Sequence, residues 1–252
     1  MSKGQTNQAA QVLLAFLKEH STAVPERRLL ARVYASEGQL GLAQAQIEIL
    51  GRELGPNSPI PFVELGSALE LAHRFDEALE QYDRAAAIAP SDPLGPLTGG
   101  LRSARWGELD LAEPRLAEAA RRDPKDASTW HALGLVRAKL GNLAGAEQAY
   151  QFGLSADPQA LENHIGLATL ALLEDKPADA LKHYDAVVAA RPSFADAELG
   201  RSFSLLKLGR VSDAEAALDR AERLGANRRA VQAQRAQLSE LRTPADSRAK
   251  AQ

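Results

Sequence analysis

Apolar positions between residues 127 and 160 fall into two helical blocks. Trp130, Leu133, Gly134 and Arg137 stand at i, i+3, i+4 and i+7, one stripe of a helix. After Gly141 and Asn142 the pattern restarts with Leu143, Ala146, Ala149, Tyr150 and Leu154, a second amphipathic helix that Asp157-Pro158 stops. Gly141 sits where a helix end takes left-handed backbone. Gly134 lies mid-helix, where it costs about 1 kcal/mol relative to Ala. The expected compensation is close approach, with Tyr150 or Ala146 of the second helix packed on its bare backbone.

This hairpin pattern repeats along the chain. Pro56, Pro90, Pro124, Pro158 and Pro192 are each 34 residues apart. In the same register Gly66, Gly134, Ala168 and Ser202 share a column, as do Ala78, Ala112, Ala146, Ala180 and Ala214. Tyr82, Leu116, Tyr150, Tyr184 and Leu218 fill a third, and Gly107, Gly141 and Gly209 a fourth. A fixed period of this length marks an array of stacked supersecondary units.

Trp130, Leu133, Gly134, Gly141, Leu143, Ala146, Tyr150 and Pro158 resemble the tetratricopeptide repeat pattern, and the resemblance covers residues 10 to 228. It implies an all-α fold, a right-handed α-solenoid of antiparallel helix hairpins. Six units are read at 24–58, 59–92, 93–126, 127–160, 161–194 and 195–228. The first is one residue out of phase, since its Leu30, Ala31, Tyr34, Gly38 and Ala43 fit only from Val24. Residues 1–23 read as a half-repeat or capping helix, with Ala10, Leu14 and Leu17 resembling the second helix of a repeat. Residues 229–241 read as a polar capping helix and 242–252 as a disordered tail.

The third unit departs from the pattern. It opens PLGPLTGGLRSARWG, with Gly99 in the column of Leu65, Leu133 and Leu167, and Pro114 is expected near the end of the first turn of its second helix. The segment is either a degenerate repeat held in shape by its neighbours or a hinge.

Composition adds exclusions. The chain has 252 residues, 45% hydrophobic but only 5% aromatic, so burial rests on Leu, Ala, Val and Ile. The formal charge of −3 argues for neither nucleic acid nor a membrane surface. From Arg220 to Gln252 eight Lys/Arg stand against three Asp/Glu, a local balance of +5. That end is either a solvated terminal helix or a basic patch. With no cysteine there is neither a disulfide nor a thiolate metal site. The run from Val12 to Leu17 is too short to span a bilayer. The chain reads as soluble and cytoplasmic, with the periplasm open if a signal peptide has been removed.

No phosphate loop, dinucleotide fingerprint, nucleophile elbow or paired-histidine zinc motif occurs. His164 occupies the column of Trp130 and Phe62, a packing position. Asp76-Glu77 and Glu215-Asp219 read as helix-start and outer-face charges. The expectation is a non-enzyme with no cofactor and no metal.

Counting each unit from its first residue, the resemblance places positions 2, 5, 6, 9, 12 and 13 in a concave groove. Position 2 supplies Ile60 and Leu94. Position 5 supplies Val63, Leu97, His131, Ile165 and Leu199, and position 9 supplies Leu101, Leu135 and Phe203 beside Ser67 and Thr169. Position 6 is small in Thr98, Ala132, Gly166 and Gly200, which would let a partner lie close to the floor. Arg105, Lys139 and Lys207 form a basic rim at position 13, with Glu64 and Glu70 as acidic spots and Arg28 and Arg32 clustered in the first unit.

These columns describe an apolar trough suited to an amphipathic helix or extended apolar segment of another protein. The Lys and Asn set with which some relatives grip a C-terminal carboxylate is missing. The leading expectation is a scaffold or adaptor within a bacterial assembly such as pilus, secretion or envelope machinery. A self-assembling homo-oligomer and a chaperone for aggregation-prone clients are the alternatives. Neither nucleic-acid binding nor direct membrane insertion is expected.

Overall fold

The computed structural model describes the backbone of residues 3–249 and the side chains of residues 6–241. Among the described residues all regular structure is helical. The chain divides into two compact units, residues 1–123 and 124–252. The first contains α1 (Lys3–Glu19), α2 (Val24–Ser36), α3 (Leu40–Leu54), α4 (Ile60–Leu71), α5 (Phe75–Ile88), α6 (Leu94–Trp106) and α7 (Leu109–Arg122). The second contains α8 (Ala127–Lys139), α9 (Leu143–Ala156), α10 (Leu161–Leu173), α11 (Pro177–Ala190), α12 (Ala195–Lys207), α13 (Val211–Arg223) and α14 (Arg228–Ala249).

Within each unit, helices pair as hairpins that stack on one another, the arrangement of an α-solenoid. In the first, α2–α3, α4–α5 and α6–α7 are hairpins, with α3 on α4 and α5 on α6. In the second, α8–α9, α10–α11 and α12–α13 repeat the scheme and α14 packs on α13 and α12.

One turn chemistry closes all six hairpins. Gly38, His73, Gly107, Gly141, Asp175 and Gly209 take positive φ at the first-helix end. The next residue's N–H reaches back to the last turn of that helix, as in Gln39 to Tyr34 O (2.9 Å), Asn142 to Arg137 O (2.9 Å) and Lys176 to Ala171 O (2.7 Å). The glycines of this turn were legible in sequence. His73 (φ 58°) and Asp175 (φ 56°) were not, because a side chain in left-handed backbone is strained. His and Asp tolerate that region better than most residues.

Glycines elsewhere admit neighbouring side chains. A Cβ at Gly134 would lie 2.5 Å from Tyr150 Cε1, and one at Gly66 equally close to Tyr82 Cε1. In α6, Cβ atoms at Gly95, Gly99 and Gly100 would meet Ala86 backbone (2.4 Å), Tyr82 Cβ (3.1 Å) and Leu116 Cγ (2.7 Å). The glycines that made this segment look irregular are thus contact points in an unbroken helix. Pro114 stands at the sixth residue of α7, deeper than expected.

The ends differ in detail from the sequence reading. Leu13 rather than Leu14 joins Ala10 and Leu17 against Leu30, while Leu14 is exposed. Helix α14 buries Val231 and Leu238, and Gln234 donates to Ser202 Oγ (2.8 Å). It continues to Ala249, past the expected end at Leu241 and through Pro244. Of the expected tail, residues 250–252 lie outside the described residues.

Candidate functional site

In the second unit the first helices α8, α10 and α12 carry the expected face. Its most accessible apolar groups are Leu135 (42% exposed) and Phe203 (37%) at position 9 and Leu173 (69%) at position 13. His131, Ile165 and Leu199 at position 5 are half-buried. Ile165 packs against the Tyr184–Val187 cluster and Leu199 against the Leu205–Leu218 cluster, so these two form the floor beneath the exposed layer. Lys139 and Lys207 are exposed at the rim, but Lys207 Nζ donates to Asp175 (2.7 Å). Between α12 and α14, Phe203, Leu206, Lys207, Gln237, Glu240 and Leu241 line a cavity of about 380 Å³.

Leu173 was missed as a candidate because basic side chains dominate its column. Its counterpart in the first unit, Leu71, is exposed as well.

The first unit presents a different face. Val63 is only 5% exposed and belongs to the buried cluster of Leu69, Ala78, Tyr82 and Ala85, so it is core and not contact surface. Ile60, Leu94 and Leu97 are half-buried, and Leu101 and Arg105 are exposed. Glu64 is not an acidic spot at all. Its carboxylate is fully buried and accepts from Arg28 Nε (2.7 Å), Arg32 Nε (2.8 Å) and Arg32 Nη2 (2.7 Å). Glu70 likewise pairs with Arg102 (3.1 Å).

Position 6 in the second unit also needs correcting. A Cβ at Gly166 would lie 2.6 Å from Tyr150 Cζ, and one at Gly200 2.3 Å from Tyr184 Cζ. These glycines receive the tyrosine of the preceding hairpin, so the space is filled from within. Tyr150 is thereby held between Gly134 of its own hairpin and Gly166 of the next.

The histidines are structural in their contacts. His164 Nε2 bonds Pro158 O (3.1 Å), just as Trp130 Nε1 bonds Pro124 O (3.0 Å) one repeat earlier. That bond makes His164 Nε2 the protonated nitrogen and Nδ1 an acceptor, 3.0 Å from His183 Nδ1, which therefore donates. Burial, then the neighbouring His164 and Lys182, lower the His183 pKa. Burial lowers that of His131 against the pull of Glu162. Among the described residues no group of three or more His, Cys, Asp or Glu is placed to hold a metal ion, and no helix is long and apolar enough to cross a membrane.

Two family models, both described as Tetratricopeptide repeat, match this chain, one over residues 171–238 and the other over 28–93 and 104–160. A 92-residue stretch, 36% of the chain, is 28% identical to part of the heat-shock protein cognate co-chaperone sgt12 of Aspergillus fumigatus, and it spans 27% of that protein. Among solved structures, YrrB, described as a TPR protein with an unusual peptide-binding site, superposes with a TM-score of 0.60 at 19% identity, covering 71% of this chain and 93% of YrrB. The C-terminal part of a TPR repeat-containing protein from Cytophaga hutchinsonii gives 0.68 at 17% identity, covering 90% and 95%. MamA gives 0.61 at 16%, covering 68% and 93%. At such identities the likeness is one of fold. Stacked hairpins with left-handed closing turns, tyrosines seated on the glycines of two successive hairpins and family-model matches that together cover most of residues 28–238 place the chain in the tetratricopeptide repeat family.

Proposed function

We propose that this tetratricopeptide repeat protein is a non-enzymatic scaffold that holds an amphipathic helix or extended apolar segment of a partner protein on the first-helix face of its second unit. The fold supports a protein-interaction scaffold in general. The exposure of Leu135, Leu173 and Phe203 on α8, α10 and α12 supports the apolar ligand. Exposed leucine and phenylalanine at groove positions leave apolar area in water that a partner would cover. Lys139, exposed at the rim, favours acidic flanks on that partner. We place the scaffold in a bacterial assembly such as pilus, secretion or envelope machinery, working in the cytoplasm, or in the periplasm if a leader is removed.

The test is capture of a stoichiometric partner by the intact chain and by a Leu135→Glu/Phe203→Glu variant of unchanged helicity. Loss of the partner with the variant supports this reading, and retention refutes it.

A second reading, self-association through α1, draws on the exposure of Val12, Leu14 and Phe16 on that helix. Light scattering on the intact chain and on one lacking residues 1–23 separates the two. A third, a chaperone holding aggregation-prone clients, draws on the likeness to a co-chaperone segment. It predicts capture of many apolar peptides and no single partner.

A further inference from the structure

In the first unit α2, α4 and α6 enclose a pocket of about 310 Å³ lined by Arg32, Ser67, Glu70, Leu71, Arg102 and Arg105. Its charge does not balance. Arg28 and Arg32 share the single carboxylate of Glu64, and Arg102 takes Glu70. Arg105 has no ion pair among the described residues. Four arginines around two glutamates leave an excess of two positive charges. One lies on the α2 side, where two guanidiniums share one anion, and the other on the α6 side at Arg105.

We propose that this pocket binds the carboxylates of two acidic side chains on an extended segment of a partner protein. Two uncompensated charges on opposite sides call for two anions. A single chain-terminal carboxylate would leave one guanidinium unpaired. Arginine forks suit carboxylates through paired N–H donors, and Ser67 in the lining adds a neutral donor. This rests on the scaffold reading for its partner but not for its location, since the pocket lies wholly in the first unit.

The experiment uses the intact chain and small probes. Glutarate, with two carboxylates, is titrated against the arginine side-chain N–H signals in NMR, alongside its diamide glutaramide and N-acetylalanine as a stand-in for a chain terminus. Saturable shifts confined to Arg28, Arg32, Arg102 and Arg105 are expected with glutarate. Arg105→Gln, at an exposed position that should not disturb folding, weakens glutarate by about tenfold, the loss of one charge-assisted contact.

The inference is overturned if glutarate shifts all arginines alike, as added chloride would, or binds no better than glutaramide. It is overturned equally if Arg105→Gln has no effect, or if N-acetylalanine binds as well as glutarate. Leu135→Glu/Phe203→Glu should bind glutarate like the parent. Loss of the partner by that variant thus bears on the scaffold reading, and loss of glutarate shifts bears on the pocket.

Discussion

Gly134→Ala tests the central packing device of the repeat. In an open helix the change would stabilise by about 1 kcal/mol through helix propensity. Here the new Cβ would stand 2.5 Å from Tyr150 Cε1 and 2.7 Å from Cδ1, well inside normal contact. The ring cannot retreat, because Gly166 on its other side already leaves a hypothetical Cβ only 2.6 Å from its Cζ. Overpacking of this kind costs roughly 1–3 kcal/mol, and a ring caught from both sides belongs at the upper end. The net expectation is destabilisation by about 1–2 kcal/mol, a fall in Tm of roughly 2–8 °C for a chain of this length.

The assay is urea and thermal unfolding of Gly134→Ala, of Tyr150→Leu and of the double variant, with Gly41→Ala as control. A Cβ at Gly41 meets nothing within 4 Å. Leucine already fills the tyrosine column at Leu116 and Leu218, so Tyr150→Leu leaves a side chain the column accepts. In the double variant the Gly134→Ala penalty should vanish, giving a coupling of about 1–3 kcal/mol between the two sites. A neutral or stabilising Gly134→Ala, or strict additivity with Tyr150→Leu, would refute the reasoning.

Three further outcomes follow from single contacts. Arg122 Nη1 donates to Ala86 O (3.1 Å), Ala89 O (3.1 Å) and Asp92 O (2.9 Å), holding the end of α5, so Arg122→Ala should cost about 1.5–3 kcal/mol in urea unfolding. Lowered pKa values at His183 and His131 mean the unfolded chain binds more protons as pH falls through the ordinary histidine range near 6.5. Stability is therefore full above that range and lost below it, and His183→Asn should flatten the fall in Tm between about pH 7.5 and 5.5. His73→Gly relieves a side chain at φ 58° and should raise stability by about 1 kcal/mol in the same denaturation assay.

The hairpin and its period were legible because a helix stripe and a fixed recurrence are local signals. The seat of Tyr150 on Gly134 was equally readable, since both lie in one hairpin. The role of Gly166 was not, since its contact is with the tyrosine of the preceding hairpin, across the junction between the two. Glu64 was misread for a related reason. Its partner Arg32 lies 32 residues away. That spacing recurs in Asp83–Arg115, Asp175–Lys207 and Ser202–Gln234. Opposite charges at that spacing, slightly short of the period, meet across successive hairpins at these sites, a signal invisible to a column read at the period itself. Val63 followed its column into the groove, yet it belongs to a buried core cluster with Leu69, Ala78, Tyr82 and Ala85, a tertiary fact that no column carries.

The central claim is that Leu135 and Phe203 touch a partner. The most direct measurement places a photo-cross-linking amino acid singly at Leu135, at Phe203 and, as control, at exposed Ala216 on α13, then identifies the captured protein by mass spectrometry. The account predicts one and the same partner from the first two positions, joined through an apolar segment, and nothing specific from Ala216. Capture from Ala216 alone, or the same partner from all three, would contradict it.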